Sequence, residues 1–335
     1  MPRRDYQQLF EQFRQVKVMV VGDVMVDAYL FGKVDRISPE APVPVVSVEK
    51  RVNRLGGAAN VALNLKALGA EPVLCSVIGN DQKGVEFMQL LQHEQISGDT
   101  IITSPNRITT AKFRVIGNKA QMLRVDEEMT GDLDHADQEA LLAKISEIIS
   151  TTKIDAIIFQ DYNKGVLTTE LISEVIAKAR RRGIPVAVDP KKHNFFQYKY
   201  TDLFKPNLKE LREGLGMEIN SRKLGDLMVA ADRLHDQMNI GTVMITLSDE
   251  GVFISHRAVS GKTDRQLVPA HIRNISDVSG AGDTVISVAT LCLAFQLDPA
   301  EIASLSNLAG GLVCEQVGVV PVDRDKLLSE ALKLL

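Results

Sequence analysis

The chain has few cysteines, no excess of charge of one sign and no long apolar run, and each absence removes a class of function. Cys75, Cys292 and Cys314 are an odd, scattered set inside apolar stretches. They offer neither a disulfide framework nor the paired spacing of a zinc site, and they read as buried free thiols of a reducing cytoplasm. Lys and Arg number 39 against 43 Asp and Glu, a net charge of −4. No basic field draws the chain to nucleic acid or to a membrane surface, so an anionic ligand has to be met by a local cluster. Residues 1–15 are polar and aromatic without the apolar centre of a signal peptide, and no apolar run reaches bilayer-spanning length. What remains is an ordinary globular composition, 45% apolar and 24% charged over 335 residues, enough for a large core.

The most informative stretch is Asp277-Val278-Ser279-Gly280-Ala281-Gly282-Asp283-Thr284. The small and apolar residues from Val285 to Phe295 follow it at the spacings of a buried helix. Gly280, Ala281 and Gly282 therefore form the first turn of that helix. A first turn leaves backbone N–H groups without partners and carries partial positive charge. With glycines to admit a ligand closely, it can hold a phosphate. Asp283 lies in the same turn, where a carboxylate can accept a proton from a hydroxyl attacking a phosphoryl group. The same residues also suit a plain glycine-rich helix start in which Asp283 complements the dipole.

Along the chain, strands and helices alternate. Val16–Val21 reads as a buried strand that ends in Gly22-Asp23, with Asp27 just beyond. Residues 29–52 break into short strands punctuated by Pro39, Pro42 and Pro44, an edge-like excursion from the main sheet. Gly56-Gly57 opens an Ala- and Leu-rich helix that contains Asn60 and closes at Gly69. Alternation returns between Arg107 and Asp126, with Lys112, Arg114 and Arg124 interleaved. Strands ending near Phe159, Val188 and Phe204 then deliver Asp161 with Asn163, Asp189 with Lys191, and Asn207 with Glu210. Polar clusters at successive strand ends point to one shared site at the carboxyl edge of a doubly wound, mostly parallel α/β sheet. In Asn207-Leu208-Lys209-Glu210 the amide and the carboxylate share one helical face; they suit a magnesium ion held through water, or a helix capping box. A dinucleotide-dependent oxidoreductase needs Gly-x-Gly-x-x-Gly after the first strand, and Gly22-Asp23-Val24 does not supply it.

The Asp277–Thr284 stretch resembles the C-terminal signature of the ribokinase-like (PfkB) carbohydrate kinases, and Gly56–Gly69 resembles their N-terminal signature. The resemblance covers about residues 16–325 and implies an ATP-dependent sugar kinase with a ribokinase-like fold. It implies that Asp283 is the base and that Gly280, Ala281 and Gly282 form the anion hole. Asp27, Gly56, Gly57 and Asn60 are the sugar contacts, with Asp161, Asn163, Asp189 and Lys191 on the substrate side. Asn207, Leu208, Lys209 and Glu210, the turn Ser248-Asp249-Glu250-Gly251 and Asn307 are expected at the nucleotide; Ser248 stands where the family usually has Gly. Magnesium accompanies ATP, with Glu210 reaching it through water, and the resemblance leaves room for a monovalent cation. It further implies one kinase domain over 1–335, with a small β lid formed by about 31–53 and 107–126 that joins two copies into a homodimer.

Arg36-Ile37-Ser38-Pro39-Glu40-Ala41-Pro42-Val43-Pro44-Val45, Asp161-Tyr162-x-Lys164-Gly165 and Asp189-Pro190-Lys191 look like the heptose-7-phosphate kinases of that family. They imply a sugar-phosphate acceptor, for whose phosphate the interleaved Lys112, Arg114 and Arg124 are the candidate cations. No His-x-Gly-His motif of an attached nucleotidyltransferase occurs before Leu335, as in a kinase-only form. The alternatives are another sugar or sugar-phosphate acceptor, or a sugar-binding relative without turnover.

Overall fold

The computed structural model describes residues 4–271 and 273–335. Its first strand, β1 (Lys17–Gly22), shows why a layered fold follows from an unbroken apolar run. Val18 and Val20 face one core while Met19 and Val21 face the other, so both faces of the strand need covering. The flanking strands are β4 (Glu71–Gly79), β5 (Ile101–Ser104), β8 (Ala156–Gln160), β9 (Val186–Asp189), β10 (Leu203–Phe204) and β11 (Thr242–Thr246), all parallel to one another and to β1. A hairpin, β12 (Val252–Arg257) and β13 (Thr263–Val268), adds two antiparallel strands. The nine strands run in the order β13-β12-β11-β10-β9-β8-β1-β4-β5.

One face is covered by α1 (Tyr6–Gln12), α2 (Ala58–Ala67), α3 (Gln82–His93), α8 (Ala281–Ala294), α9 (Pro299–Val313) and α10 (Arg324–Leu334). The other is covered by α4 (His135–Thr151), α5 (Thr169–Arg182), α6 (Leu208–Leu215) and α7 (Leu224–Met238). Caps fix these helices locally. Asp134 and Thr168 accept from the third residue of α4 and α5, and Gly183 in the left-handed region ends α5.

The remaining strands form a separate four-stranded sheet in the order β3-β2-β6-β7. They are β2 (Val24–Ile37), β3 (Pro44–Gly57), β6 (Ala111–Gly117) and β7 (Ala120–Glu127). The excursion expected as short pieces is thus two strands of 14 residues each. The prolines explain how both readings meet. Pro39 and Pro42 lie in the bend between the strands, and Pro44 opens β3, an edge strand where a missing N–H costs little. Because β2 continues almost directly from β1 and β3 runs into α2, this sheet hangs over the carboxyl edge of the main one.

Candidate active site

Parallel strands carry their loops to the same side, so β1, β8, β9 and β10 all end at one edge. Helix α8 points its N-terminus there. Its cap, Gly280, has φ of +81°, a conformation that glycine adopts without strain. Asp283, the third helical residue, is buried and fully engaged. Its Oδ2 accepts from Asn60 Nδ2 at 2.7 Å, and its Oδ1 accepts from Tyr162 Oη at 2.8 Å and Gln160 Nε2 at 3.1 Å. Burial pushes its pKa up to about 6, against the pull of the Asn60 and Tyr162 hydrogen bonds. Such a carboxylate is ionised near neutrality yet basic enough to take a proton.

The donors are themselves held. Asn60 sits on α2, where Asn64 Nδ2 donates to the Asn60 carbonyl at 2.9 Å, and Thr284 donates to Asn64 Oδ1 at 2.9 Å, tying α2 to α8. Tyr162 belongs to the loop after β8. Asp23, at the end of β1, accepts from three backbone N–H groups of that loop: Tyr162 at 2.8 Å, Lys164 at 3.1 Å and Val166 at 3.0 Å. Burial and the nearby Asp161 charge raise Asp23 to about 6 despite these bonds.

Behind the first turn of α8 lies a buried network of opposite charges. Lys205, only 2% exposed, meets Asp189 Oδ2 at 3.0 Å, and Gln160 Nε2 donates to the same oxygen at 3.2 Å. A Cβ built on Gly282 would stand 3.7 Å from both Asp189 Oδ2 and Lys205 Nζ. Lys191 pairs with Glu210 and lies 5.5 Å from the Tyr162 ring centroid. Burial draws the Lys191 ammonium down, but the charges of Asp189 and Glu210 carry its pKa up. Glu210 is shifted upward by burial and by Asp189. At the start of α6, Asn207 Oδ1 accepts from Glu210 N at 2.9 Å while Glu210 Oε2 accepts from Asn207 N at 2.8 Å, a capping box.

A glycine-opened helix start with a buried carboxylate, facing a polar sheet across one sheet edge, suits phosphoryl transfer to a small acceptor, although the Ala281 N–H already donates to the Val278 carbonyl at 3.3 Å. The family profile described as pfkB family carbohydrate kinase matches residues 15–325. The chain belongs to that family. The bifunctional protein HldE of Syntrophotalea carbinolica is 37% identical over 327 residues, covering 98% of this kinase and 65% of that protein. The bifunctional protein HldE of Caulobacter sp. strain K31 is 41% identical over 322 residues, covering 95% and 63%. The chain thus spans slightly less than two thirds of the length of these curated relatives. Among solved structures, phosphofructokinase-2 from Escherichia coli in complex with potassium superposes with a TM-score of 0.77 at 20% identity, covering 94% of this chain and 99% of that one. Arabidopsis thaliana ribokinase complexed with ribose and ATP gives 0.70 at 17%, covering 96% and 99%. At such identities the likeness speaks for the fold, which is ribokinase-like.

Within this kinase the expected site residues separate into groups. Asp283, Asn60, Asp189, Lys191 and Glu210 converge at the edge just described. Asp27 is buried on β2 and pairs with Arg114 Nη1 at 2.5 Å. Gly56 presses on it so closely that a Cβ there would lie 2.3 Å from Asp27 Oδ2, and Gly57 is the residue before α2. Asp161, expected on the substrate side, is turned inward instead. Its carboxylate accepts from Tyr198 Oη at 2.7 Å, Asn194 Nδ2 at 3.2 Å and Asn163 N at 2.8 Å. Asn163 keeps a buried Oδ1 without a partner. Lys112 is neutralised by Asp126 at 3.1 Å and Glu128 at 3.0 Å, and Arg124 is exposed beside Asp126. Leu208 and Lys209 begin α6, with Lys209 in solvent near Glu213. Ser248 and Asp249 form a short turn before Gly251. Asn307 on α9 donates to the Pro269 carbonyl at 2.8 Å.

Sequence reasoning passed over Gln160, Tyr162 and Lys205 as site residues. Lys205 carried a signal, a lone cation after the apolar Leu203-Phe204 pair. The role of Tyr162 depends on the loop geometry set by Asp23, a contact across 139 residues.

Proposed function

We propose that this kinase transfers the γ-phosphoryl group of ATP to the anomeric C1 hydroxyl of D-glycero-β-D-manno-heptose 7-phosphate. The product is the 1,7-bisphosphate, a precursor of ADP-heptose for the lipopolysaccharide core. The observation that carries the reading is the Asp283 carboxylate, fixed by three donors in the first turn of a glycine-opened helix. The Arg36–Val45 and Asp161–Gly165 runs favour the heptose phosphate among sugar acceptors.

In this reading Asp27 and Asn60 hold sugar hydroxyls, with Gly56 and Gly57 allowing the sugar to approach. Asp283 takes the proton of the attacking hydroxyl, and burial has already raised its affinity for that proton. The amides of Gly280, Ala281 and Gly282 stabilise charge on the transferring group. Asn207, Leu208, Lys209 and Glu210, the Ser248–Gly251 turn and Asn307 border the nucleotide.

The residues also fit magnesium carried by ATP. Asp189 Oδ1 and Gln160 Oε1 are buried acceptors without partners at this edge, a demand that ion-bound water can meet. Among the described residues no three acidic or sulfur or imidazole groups cluster as a dedicated cage, in keeping with an ion held by one or two carboxylates and phosphates. Asp189 would hold it through water, and so would Glu210, whose oxygens are already engaged. When bound, the ion neutralises phosphate charge.

The wider reading is a single kinase domain whose lid comprises about 31–53 and 107–126, paired through that lid as a homodimer, working in the cytoplasm where ATP is available. Among the described residues no helix is long and apolar enough to cross a membrane. The test is a panel of free and phosphorylated sugars with magnesium and ATP, with and without potassium, scored by ADP release. Phosphorus NMR of the product then locates the new ester. Turnover of heptose 7-phosphate to a C1 phosphate supports the reading; a different acceptor preferred by orders of magnitude ends it.

A further inference from the structure

The lid face above the active site carries more positive charge than its carboxylates neutralise, and part of that excess lies beside Asp27, next to the reaction edge. Strand register sets Asp27 opposite Arg54 and Tyr29 opposite Arg114. Opposed residues, and residues two apart, share a face of a sheet, so these four side chains emerge on one side. The Arg54 and Arg114 guanidinium carbons lie 5.5 Å and 5.2 Å from the Tyr29 ring centroid, within cation–π range. Arg114 pairs with Asp27 at 2.5 Å. Arg54 donates to the Val319 carbonyl at 2.8 Å and has no carboxylate partner among the described residues. Two fixed positive charges therefore meet one negative charge.

This cluster faces the reaction edge. Asp27 adds to the negative field at Tyr162, and Arg114 to the positive field at Asp277. Val319, which Arg54 holds, lies beside Gly280, where a Cβ would stand 3.3 Å from Val319 Cγ1. The other cations of the same face differ. A phosphate near Lys112 or Arg124 would meet the carboxylates of Asp126 and Glu128, which already hold those side chains.

We propose that Arg54 and Arg114, stacked on Tyr29, receive the phosphate monoester of the acceptor and set the preference for a phosphorylated over a free sugar. The inference rests on the sugar-kinase reading above and names what recognises its substrate class. Guanidinium forks match phosphate oxygens in pairs, which an ammonium cannot do. Arg114 links the two ends of the acceptor, because one side of its fork steadies Asp27 while the rest is open to the phosphate. The other source of a phosphate at this place is the transferring group of ATP, since the loop that Arg54 holds borders Gly280.

The experiment compares Arg54→Met in the full chain with the unaltered chain, using heptose 7-phosphate and the free heptose at saturating magnesium and ATP. Arg54 is the residue to remove because its loss leaves no carboxylate unpaired. KM for heptose 7-phosphate should rise about ten- to hundredfold, the effect of losing a charge-assisted hydrogen bond. The kcat, the KM for ATP and the kcat/KM for free heptose should each stay within about twofold, the pattern of lost ground-state binding. Arg114→Lys, which keeps the charge beside Asp27 but not the fork, should lower the same preference. An equal loss with both acceptors, or a raised KM for ATP, assigns Arg54 to the transferring group and overturns the proposal. Unchanged kinetics on heptose 7-phosphate overturn it while leaving the kinase reading intact. If the unaltered chain ignores heptose 7-phosphate but uses another sugar phosphate, the acceptor reading falls, and the same comparison on that pair decides the clamp. A general preference for free sugars removes both.

Discussion

The buried edge around Asp283 and the four-stranded lid are built on opposite plans. At the edge each group is fixed by partners that belong to other elements: Asn60 from α2, Gln160 from β8, Tyr162 from the loop that Asp23 ties down. The elements themselves are anchored in two cores. The lid has no such support. One of its faces is polar, with Asp27, Tyr29, Arg54, Lys112 and Arg114. The other presents Leu30, Phe113 and Val115 beside Val48, Leu123 and Val125, which are 45%, 55% and 45% exposed. Edge strands β3 and β7 each leave their outer edge unpaired among the described residues. The contrast teaches a division of labour. Proton transfer needs placement to a fraction of an ångström, and the core supplies it. In the proposed function, acceptor choice falls to a complementary surface that closes, a role that a sheet with little core of its own would suit.

Changes at the edge should therefore abolish chemistry, whereas changes on the lid should alter partners. The largest effect is expected for Asp283→Asn, with kcat lower by about 10²–10⁴. Burial raises the folded-state pKa of Asp283, so its ionisation costs stability as pH rises toward and through about 6. The amide removes that cost but opposes its three donors. We expect a melting temperature within a few degrees of the parent and unchanged ATP binding by calorimetry. Near-normal kcat would refute the base assignment. Next comes the apolar lid face. Leu123→Glu with Val125→Glu places charge where a second copy would bury apolar surface. Light scattering should report a dimer for the parent and a monomer for the double variant, at an unchanged melting temperature. A parent that is already monomeric breaks the comparison, because the face would then need another explanation.

How much of this could be read from residues alone follows the same division. The edge was legible because it is made of local signals. Gly280–Asp283 announces a helix start, and strands ending in Asp189 or Asn207 announce a carboxyl edge. Asp161 shows the limit, since its neighbourhood in sequence matches the site while its side chain serves Tyr198 and Asn194. Which way a strand-end carboxylate turns depends on contacts more than 30 residues away. The lid was less legible. Lys112, Arg114 and Arg124 alternate along the chain, and only the folded sheet reveals that Arg114, opposite Tyr29, reaches diagonally to Asp27, while Lys112, opposite both Asp27 and Asp126, pairs with Asp126. The length of β2 and β3 was hidden by prolines that lie in the bend and at an edge.

Tyr162 sharpens the comparison at a smaller scale. Its hydroxyl donates to Asp283 Oδ1 at 2.8 Å and so favours the ionised carboxylate. The charged and titratable groups around Asp283 are Asp189 and Lys191 after β9, Lys205 after β10, Glu210 on α6, Asp27 on β2 and Tyr162 itself. Tyr162→Phe removes a donor to the charged form, which raises the pKa. The acid limb of kcat/KM, near pH 6 in the parent, should move up by about one unit, a rate loss of about fivefold at pH 6 that nearly vanishes by pH 8. A limb that stays in place means that the tyrosine only fills space.

The smallest effect separates two jobs at Asn207. As the cap of α6 its side chain holds Glu210 N at 2.9 Å, and Asn207→Ala should cost about 1 kcal/mol, a fall of a few degrees in melting temperature. Stability alone does not tell a cap from a nucleotide contact. Asp caps a helix about as well as Asn, so Asn207→Asp should keep the melting temperature of the parent. It also places a second carboxylate beside Glu210, where phosphate oxygens are expected. If the amide serves the nucleotide, KM for ATP rises severalfold in Asn207→Asp despite the intact cap. Should KM stay put, Asn207 belongs with the scaffold, and the nucleotide boundary lies further along α6.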